Sequence, residues 1–435
     1  MRKLITISGL FIILLKFMVQ PAAADLFWTI NPYVQAQQEY TDNLFQDRDD
    51  RESDWITILG AGLDLRGIGP TEGITLNYFP SYIYYHKNDD LNTLRHKADL
   101  ELWKYIRRHL RVSFLNVFEH SEEPYVFYDP PEEIDPDIIF IDEDYLRRGR
   151  ETRSINTARP RLDYQFGPRD RFYFQYSWRQ EWNDNPAEED RGLHTPSAGL
   201  TYWFSRFYGI DASARYTRGI FDESEDRDVW DGRIRLLRNF TRHLDGYVEY
   251  RHTHVDYSGD RPGYTVYQPS AGISYRFARE GRMRIGLGYF YRDEEDNDDD
   301  DGLLVDASID KTWSQRRSSF TLRGSTGYTE AFQRGGDGFT IFYDVRAIYS
   351  YGLRRDLDWR LAAGFRHRDY RDREPTRKDN VFDIGTGLNY RWTRHVNVGL
   401  NYDYRNVDSD SRADEYYENR VTLTLNWVPS PRRLN

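Results

Sequence analysis

The sequence predicts an all-β chain, a transmembrane antiparallel up-and-down β-barrel of about 20 strands (roughly 18–20), with short turns at one rim and long acidic loops at the other. Three observations predict it. Apolar and polar side chains alternate with period two as far as the C-terminus, the connections alternate between short basic and long acidic, and an export signal precedes a chain without cysteine.

The alternation is clearest late in the chain. Val396, Val398, Leu400, Tyr402 and Tyr404 alternate with Asn397, Gly399, Asn401, Asp403 and Arg405. Val421, Leu423, Leu425 and Trp427 then alternate with Thr422, Thr424 and Asn426. Leu357, Trp359, Leu361, Ala363 and Phe365 repeat the pattern, as do residues 55–65, 172–179, 210–217, 282–292, 320–328 and 339–351. A helix would need apolar residues three and four apart, and these segments lack that spacing.

The connections sort into two kinds. Arg107-Arg108-His109, residues 167–171, Thr241-Arg242-His243, Gln315-Arg316-Arg317, Arg354-Arg355-Asp356 and Thr393-Arg394-His395 are short and basic. Residues 41–53, 87–92, 120–150, 183–190, 221–228, 293–301, 370–379 and 406–415 are longer and mostly acidic. Outer-membrane barrels sort their connections this way, with the short turns and both chain ends on the periplasmic side. The recurring Arg-His step, at Arg108-His109, Arg242-His243 and Arg394-His395, reads as a shared turn solution rather than a metal or proton site.

The N-terminus supports export. Arg2 and Lys3 precede an apolar run over residues 4–15, and Ala22-Ala23-Ala24 offers a cleavage site. Residues 1–24 are therefore expected to be a signal peptide, and residues 25–435 a single barrel domain without a linker or plug. With no cysteine anywhere, disulfides, thiolate metal sites, iron–sulfur clusters and covalent haem are excluded, and no cofactor is expected.

Composition fits a barrel better than a soluble domain. Aromatic residues make up 16% of the chain, led by 34 Tyr, while charged residues make up 30%. Mean hydropathy is −0.82, and nothing after the signal is apolar for long enough to be a spanning helix. A barrel reconciles these values, because only every second strand residue meets lipid. Tyr40, Tyr84, Trp103, Trp178, Trp203, Trp313, Tyr351, Trp392 and Trp427 fall mostly near strand ends, where interfacial girdles lie, although some can face inward. The net charge of −11 argues against nucleic acid as a partner.

Parity assigns the lumen. It receives Arg215, Arg233, Arg235, Arg251, Arg276, Arg284, Arg323, Arg346, Arg360, Arg366, Arg391 and Arg405. It also receives Asp344, Asp358, Asp383 and Asp403. Arg95, Arg159, Arg161, Asp64, Asp99, Glu101, Asp163, Asp211, Glu249, Asp306 and Asp310 fall on the same face. Such a wall can guide an anionic or hydroxyl-rich solute through arginine forks, or it can be a cross-strand salt-bridge lattice that stiffens a wide barrel. Both readings stand on sequence alone.

The longest loop, 120–150, carries Tyr125, Phe127, Tyr128, Ile138 and Phe140 between acidic stretches, which points to a lid or constriction. The acidic run 293–301 lacks the spaced ligands of a calcium loop and reads as solvated surface. His252 and His254 share a face, but nothing nearby completes a metal site. No catalytic serine, histidine and acid arrangement is legible, so no enzyme activity is expected.

Ile30-Asn31-Pro32-Tyr33 leads into Glu39-Tyr40-Thr41-Asp42-Asn43-Leu44-Phe45, followed by Ser53-Asp54-Trp55-Ile56-Thr57 and Gly60-Ala61-Gly62-Leu63. This stretch resembles the family of outer-membrane β-barrel porins whose mature chains open with a YTDN strand end. Gly60-Ala61-Gly62 stands where Pro-Gly is more usual. The resemblance implies an outer-membrane barrel and a link to exopolysaccharide systems, and it carries over no catalytic residue. The expectation is a porin-like channel of the cell outer membrane, for exopolysaccharide export or for polar and anionic solutes. The alternatives are a non-conducting structural or interaction barrel displaying acidic loops, or a sheath for a partner protein. Outer-membrane lipid and lipopolysaccharide are the expected surroundings, with polysaccharide and periplasmic export components as candidate partners.

Overall fold

The computed structural model describes residues 26–123, 150–186, 188–294, 300–330, 339–371 and 377–434. The expected signal segment, the tip of the longest loop and most of the acidic run 293–301 lie outside them.

The chain runs through β1 (Phe27–Thr41), β2 (Asp54–Ile68), β3 (Glu72–Tyr85), β4 (Thr93–Arg107) and β5 (Leu110–Ser121). It continues through β6 (Arg153–Gln165), β7 (Arg171–Asn183), β8 (Arg191–Tyr202), β9 (Tyr208–Phe221) and β10 (Arg227–Asn239). Next come β11 (Leu244–Tyr257), β12 (Tyr264–Ala278), β13 (Gly281–Glu294), β14 (Asp300–Trp313) and β15 (Ser318–Glu330). β16 (Phe339–Gly352), β17 (Leu357–Tyr370), β18 (Arg377–Arg391), β19 (Val396–Ser409) and β20 (Tyr416–Trp427) complete the wall, followed by the short β21 (Arg432–Leu434). The predicted loops at 370–379 and 406–415 are shorter than expected, because residues 377–379 pair with 368–370 of β17 and residues 406–409 pair with 379–382 of β18.

From β1 to β20 each strand pairs antiparallel with the next, and β20 returns to β1. Thr41 lies opposite Arg420 and Val34 opposite Trp427, while β21 zips along Trp28–Ile30 below them. The result is a closed barrel of 20 strands. Closure follows from the solvent: an unpaired backbone N–H or C=O in hydrocarbon costs several kcal/mol, and a closed ladder leaves no edge.

Alternation turns one face of each strand to lipid. In β2, Trp55, Leu59 and Leu63 are exposed, whereas Ile56, Ile58 and Asp64, on the opposite face, are buried. Leu236, Val248, Leu287, Leu303, Val345, Phe365, Leu400 and Leu423 continue the exposed apolar belt. Trp55, Tyr84, Trp230 and Tyr289 lie at its upper edge, and Tyr202, Tyr275, Tyr351 and Trp427 at its lower. Trp103 departs from the girdle: it faces inward over Gly73, with the Arg111 guanidinium stacked on its ring.

Nine short turns lie on the side of the chain termini and ten connections on the other. In two of the Arg-His turns the solution is visible. The Thr241 hydroxyl accepts the N–H groups of His243 and Leu244, and Thr393 does the same for His395 and Val396.

Inside, aromatic side chains lie over glycines on neighbouring strands. Tyr33 covers Gly62, and Tyr247 covers both Gly272 and Gly286, so a Cβ at these glycines would collide with the ring. This contact pins register in a wall that has no second layer.

Of the ladders between strands consecutive in sequence, from β1 to β20, the shortest is that between β14 and β15, ending at Val305 opposite Thr326. There the Thr326 hydroxyl accepts the Val305 N–H (3.0 Å) and donates to the Leu303 carbonyl (2.8 Å). Above that point β15 and β16 remain paired to each other, and Tyr328 reaches the Thr253 hydroxyl of β11 at 3.2 Å. The upper end of this hairpin therefore leans inward over the lumen.

Candidate functional site: the barrel lumen

The interior divides into two halves of different character. Toward the long loops, inward side chains pack as a core. Val255, Tyr264, Val266, Phe290, Phe339 and Ile341 form one cluster under the leaning hairpin. Leu44, from the loop after β1, joins Ile56, Ile58, Ile83 and Tyr85 in a second. Val381, Val407 and Tyr416 form a third.

Charged groups are woven through this core. Arg292 bonds Glu294 (2.8 Å) and Asp300 (3.2 Å) and stacks over Tyr264 and Phe339. Arg150, just past the longest loop, donates to the Leu44 carbonyl and the Tyr85 hydroxyl. It also lies 3.4 Å from Glu123 and 3.9 Å from Glu39. Arg95 holds Glu122 and Glu123, and Arg420 joins Glu39, Glu123 and Glu418. Both roots of the longest loop, Glu123 and Arg150, are thereby tied to β1, β3, β4 and β20. Burial alone would raise the Glu123 carboxyl, but Arg150, Arg95 and Arg420 hold it at about 2.

Toward the periplasmic turns the lumen is open. The side chains of Arg161 and Asp163 are 27% and 35% exposed, and those of Glu101 and Arg111 are 50% and 37% exposed. In the upper half Arg150, Arg292 and Arg405 keep only 1%, 3% and 2%. Among the described residues, inward charged side chains are thus part-exposed toward the periplasm and buried toward the outer rim.

The side chains assigned by parity lie on this inner wall. Arg233 meets Asp211 at 2.8 Å, Arg235 meets Glu249 at 2.6 Å, and Arg251 meets Asp231 at 2.5 Å. Arg366 bonds Asp344 at 3.0 Å, and Arg405 grips Asp383 at 2.6 and 3.3 Å. Arg215 lies opposite Asp231 in the ladder, and Arg284 donates to the Ser308 hydroxyl. Arg323 and Arg346 are directly opposite each other, a like-charge placement that raises the local positive potential. Arg346, Arg360, Arg366 and Arg405 share a 160 Å³ recess with Asp344, Asp383, Asp403 and the glycines 364, 385 and 387. Arg276, Arg391 and Asp358 sit lower, at the periplasmic rim, where Arg276 reaches the Arg242 carbonyl and Asp358 meets Arg317.

Tyr125, Phe127, Tyr128, Ile138 and Phe140 lie outside the described residues. His252 and His254 face outward, His252 against Tyr267 and His254 against the Thr265 hydroxyl. Parity reasoning did not single out Arg111 and Arg171, which flank turns. The signal was present in the arginine-rich turns at 107–109 and 167–171, two hairpins that turn out to be neighbours.

Residues 225–427 match the family model described as "Putative beta-barrel porin 2". No curated protein shows a significant sequence match. Among solved structures, the siderophore receptor PirA from Acinetobacter baumannii is 8% identical with a TM-score of 0.53, covering 92% of this chain and 80% of that one. A BenF-like porin from Pseudomonas fluorescens Pf-5 is 9% identical with a TM-score of 0.46, covering 92% and 99%. OprD of Pseudomonas aeruginosa is 9% identical with a TM-score of 0.38, covering 93% and 96%. The likeness to PirA is one of fold.

Proposed function

We propose that this porin-like outer-membrane barrel carries polar and anionic solutes between a charged periplasmic vestibule and an outer mouth that opens by unpacking. An exopolysaccharide chain is the cargo to which its N-terminal motif points. The supporting observation is the contrast between the halves of the lumen: half-exposed arginines and carboxylates below, buried ones above. Guanidinium groups held by carboxylates give a passing carboxylate, phosphate or hydroxyl many exchangeable contacts. The opposed Arg323 and Arg346 bias the wall toward anions. Transport of this kind makes and breaks no bond in the solute. Lipopolysaccharide would surround the outer mouth, and the arginine-rich turns would meet an export component.

The packed upper half also favours a second reading, a barrel filled by its own side chains that serves as scaffold or interaction surface. Single-channel recording on the refolded mature barrel in a planar bilayer separates the two. Anion-preferring openings, more frequent after Arg150→Ala, are expected of a gated channel. Silence in both forms would reject conduction and leave the scaffold.

A further inference from the structure

One region of the lumen departs from charge balance. Between the β4–β5 and β6–β7 hairpins, at the periplasmic end, lies a cavity of 790 Å³. Six arginines line it, Arg108, Arg111, Arg159, Arg161, Arg169 and Arg171, against the three carboxylates Glu101, Asp163 and Asp170. The recess on β16–β19 has four arginines and three carboxylates in its lining, so an excess of this size is not a general property of the wall.

The carboxylates do not cancel the excess. Asp163 is engaged by Arg161 at 2.9 Å, and Glu101 lies 3.6 Å from Arg111. Asp170 accepts the Trp203 N–H at 2.8 Å and so belongs to the turn. Three of the guanidiniums lie against aromatic rings: Arg169 is 3.2 Å from the Trp203 ring centre, Arg161 is 4.5 Å from that of Tyr173, and Arg111 is 5.5 Å from that of Trp103. A guanidinium set against an aromatic ring loses little rotamer entropy when a further N–H group forks onto an oxyanion, beside the N–H groups that Arg161 already gives to Asp163 and Gln175. Tyr105, Tyr164, Ser113, Gln165 and Gln175 add hydroxyl and amide groups to the lining. The volume lies within the roughly 300–1,000 Å³ range of small-molecule sites.

We infer that this cavity is a binding site for a carboxylate- or phosphate-bearing solute of oligosaccharide size, captured from the periplasm before it enters the barrel. Capture deepens the transport reading but needs only that the periplasmic half be reachable. The carboxylate could belong to a sugar acid or the anion could be a phosphate, and the chemistry recognised is the same.

Calorimetric titration of the refolded barrel in neutral detergent tests it, with tetragalacturonate, maltotetraose, inorganic phosphate and a glutamate tetramer as probes. Tetragalacturonate is expected to bind, to weaken as salt rises, and to bind at least tenfold more weakly to the Arg111→Gln/Arg161→Gln/Arg171→Gln barrel. Arg48→Gln/Arg412→Gln, on the opposite rim, should bind as the parent does. Arg171→Gln alone, at the exposed rim, keeps the test valid if the triple variant does not refold. Unchanged binding by these variants, or equal binding of maltotetraose, overturns the site. Phosphate competing at the same concentration as the oligomer would overturn its oligomer size, and preference for the glutamate tetramer would make it a peptide-docking surface instead. A parent barrel that binds tetragalacturonate without conducting would reject the pathway alone, and a parent barrel that conducts without binding it would reject this site alone.

Discussion

The carboxylate of Asp42 accepts both the backbone N–H and the side-chain amide of Asn419, each at 2.8 Å, across 377 positions of sequence. This pair closes the barrel, because Asp42 follows the first strand and Asn419 belongs to the last. Its neighbours reinforce the seam. Thr41 donates to Glu418 at 2.7 Å, and the Asn43 amide donates to the carbonyls of Asp47 and Tyr417 at 2.7 and 2.8 Å. Tyr40-Thr41-Asp42-Asn43 is therefore a clasp: its polar side chains weld the first loop to the final strand. Asp42→Ala is expected to cost roughly 1.5–3 kcal/mol, the scale of hydrogen bonds to a charged acceptor. The urea midpoint of the refolded barrel measures it, and a midpoint within error of the parent would mean that the seam holds without Asp42.

Beside that clasp, Arg150 and Glu123 tie the longest loop into the mouth. Because its arginines hold the Glu123 carboxyl at about 2, below its ordinary 4.5, the ionised form is favoured in the folded state. Its contribution is thus complete above about pH 4.5 and is lost as pH falls toward about 2. The mouth is expected to stay closed at neutral pH and to loosen in that acid window. Glu123→Gln should flatten the dependence. Urea midpoints of parent and variant between pH 2 and pH 7 should converge at the acid end; parallel curves would show that Glu123 does not drive the change.

The wall was legible from alternation alone, since a period of two leaves only the choice of face, and ion pairs such as Arg233–Asp211 resolve that choice. The role of Asp42 was not legible, because its partner comes from the other end of the chain. Asp54, in the same N-terminal motif, is a parallel case: fully buried, it accepts the N–H groups of Trp55, Lys87 and Asn88, so it shapes a loop one hairpin away. The packed outer half was not legible either. It depends on how far the β15–β16 hairpin leans inward, and nothing in the spacing of Tyr328 and Phe339 distinguishes a leaning strand from an upright one.

Thr326 makes that lean testable. Its hydroxyl takes over the hydrogen bonding of Val305 and Leu303 where the β14–β15 ladder stops. Thr326→Val keeps the shape and removes both bonds, at a cost of about 1–1.5 kcal/mol. Amide exchange at Val305 should quicken by about tenfold while the amides of β5 and β18 stay unchanged. Equal exchange in both barrels would mean that the ladder end is held by something other than Thr326.

Arg405 and Asp383 distinguish a stiffening lattice from a conducting wall at the level of one pair. Arg405 is almost fully buried, whereas Asp383 keeps 21% of its side chain exposed in the recess. Arg405→Met leaves that carboxylate without the bidentate partner, at a cost of up to about 3 kcal/mol, below the fully buried case because the lumen still reaches Asp383. Adding Asp383→Leu removes the stranded charge, so the double variant should recover most of the loss. Urea midpoints of the parent, both single variants and the double variant form the cycle. Recovery with conductance unchanged makes the pair a strut, dispensable to passage. Recovery of stability with loss of anion preference makes the same arginine part of the path. A double variant no more stable than Arg405→Met would mean that the guanidinium itself, and not its pairing with Asp383, supports the packed mouth.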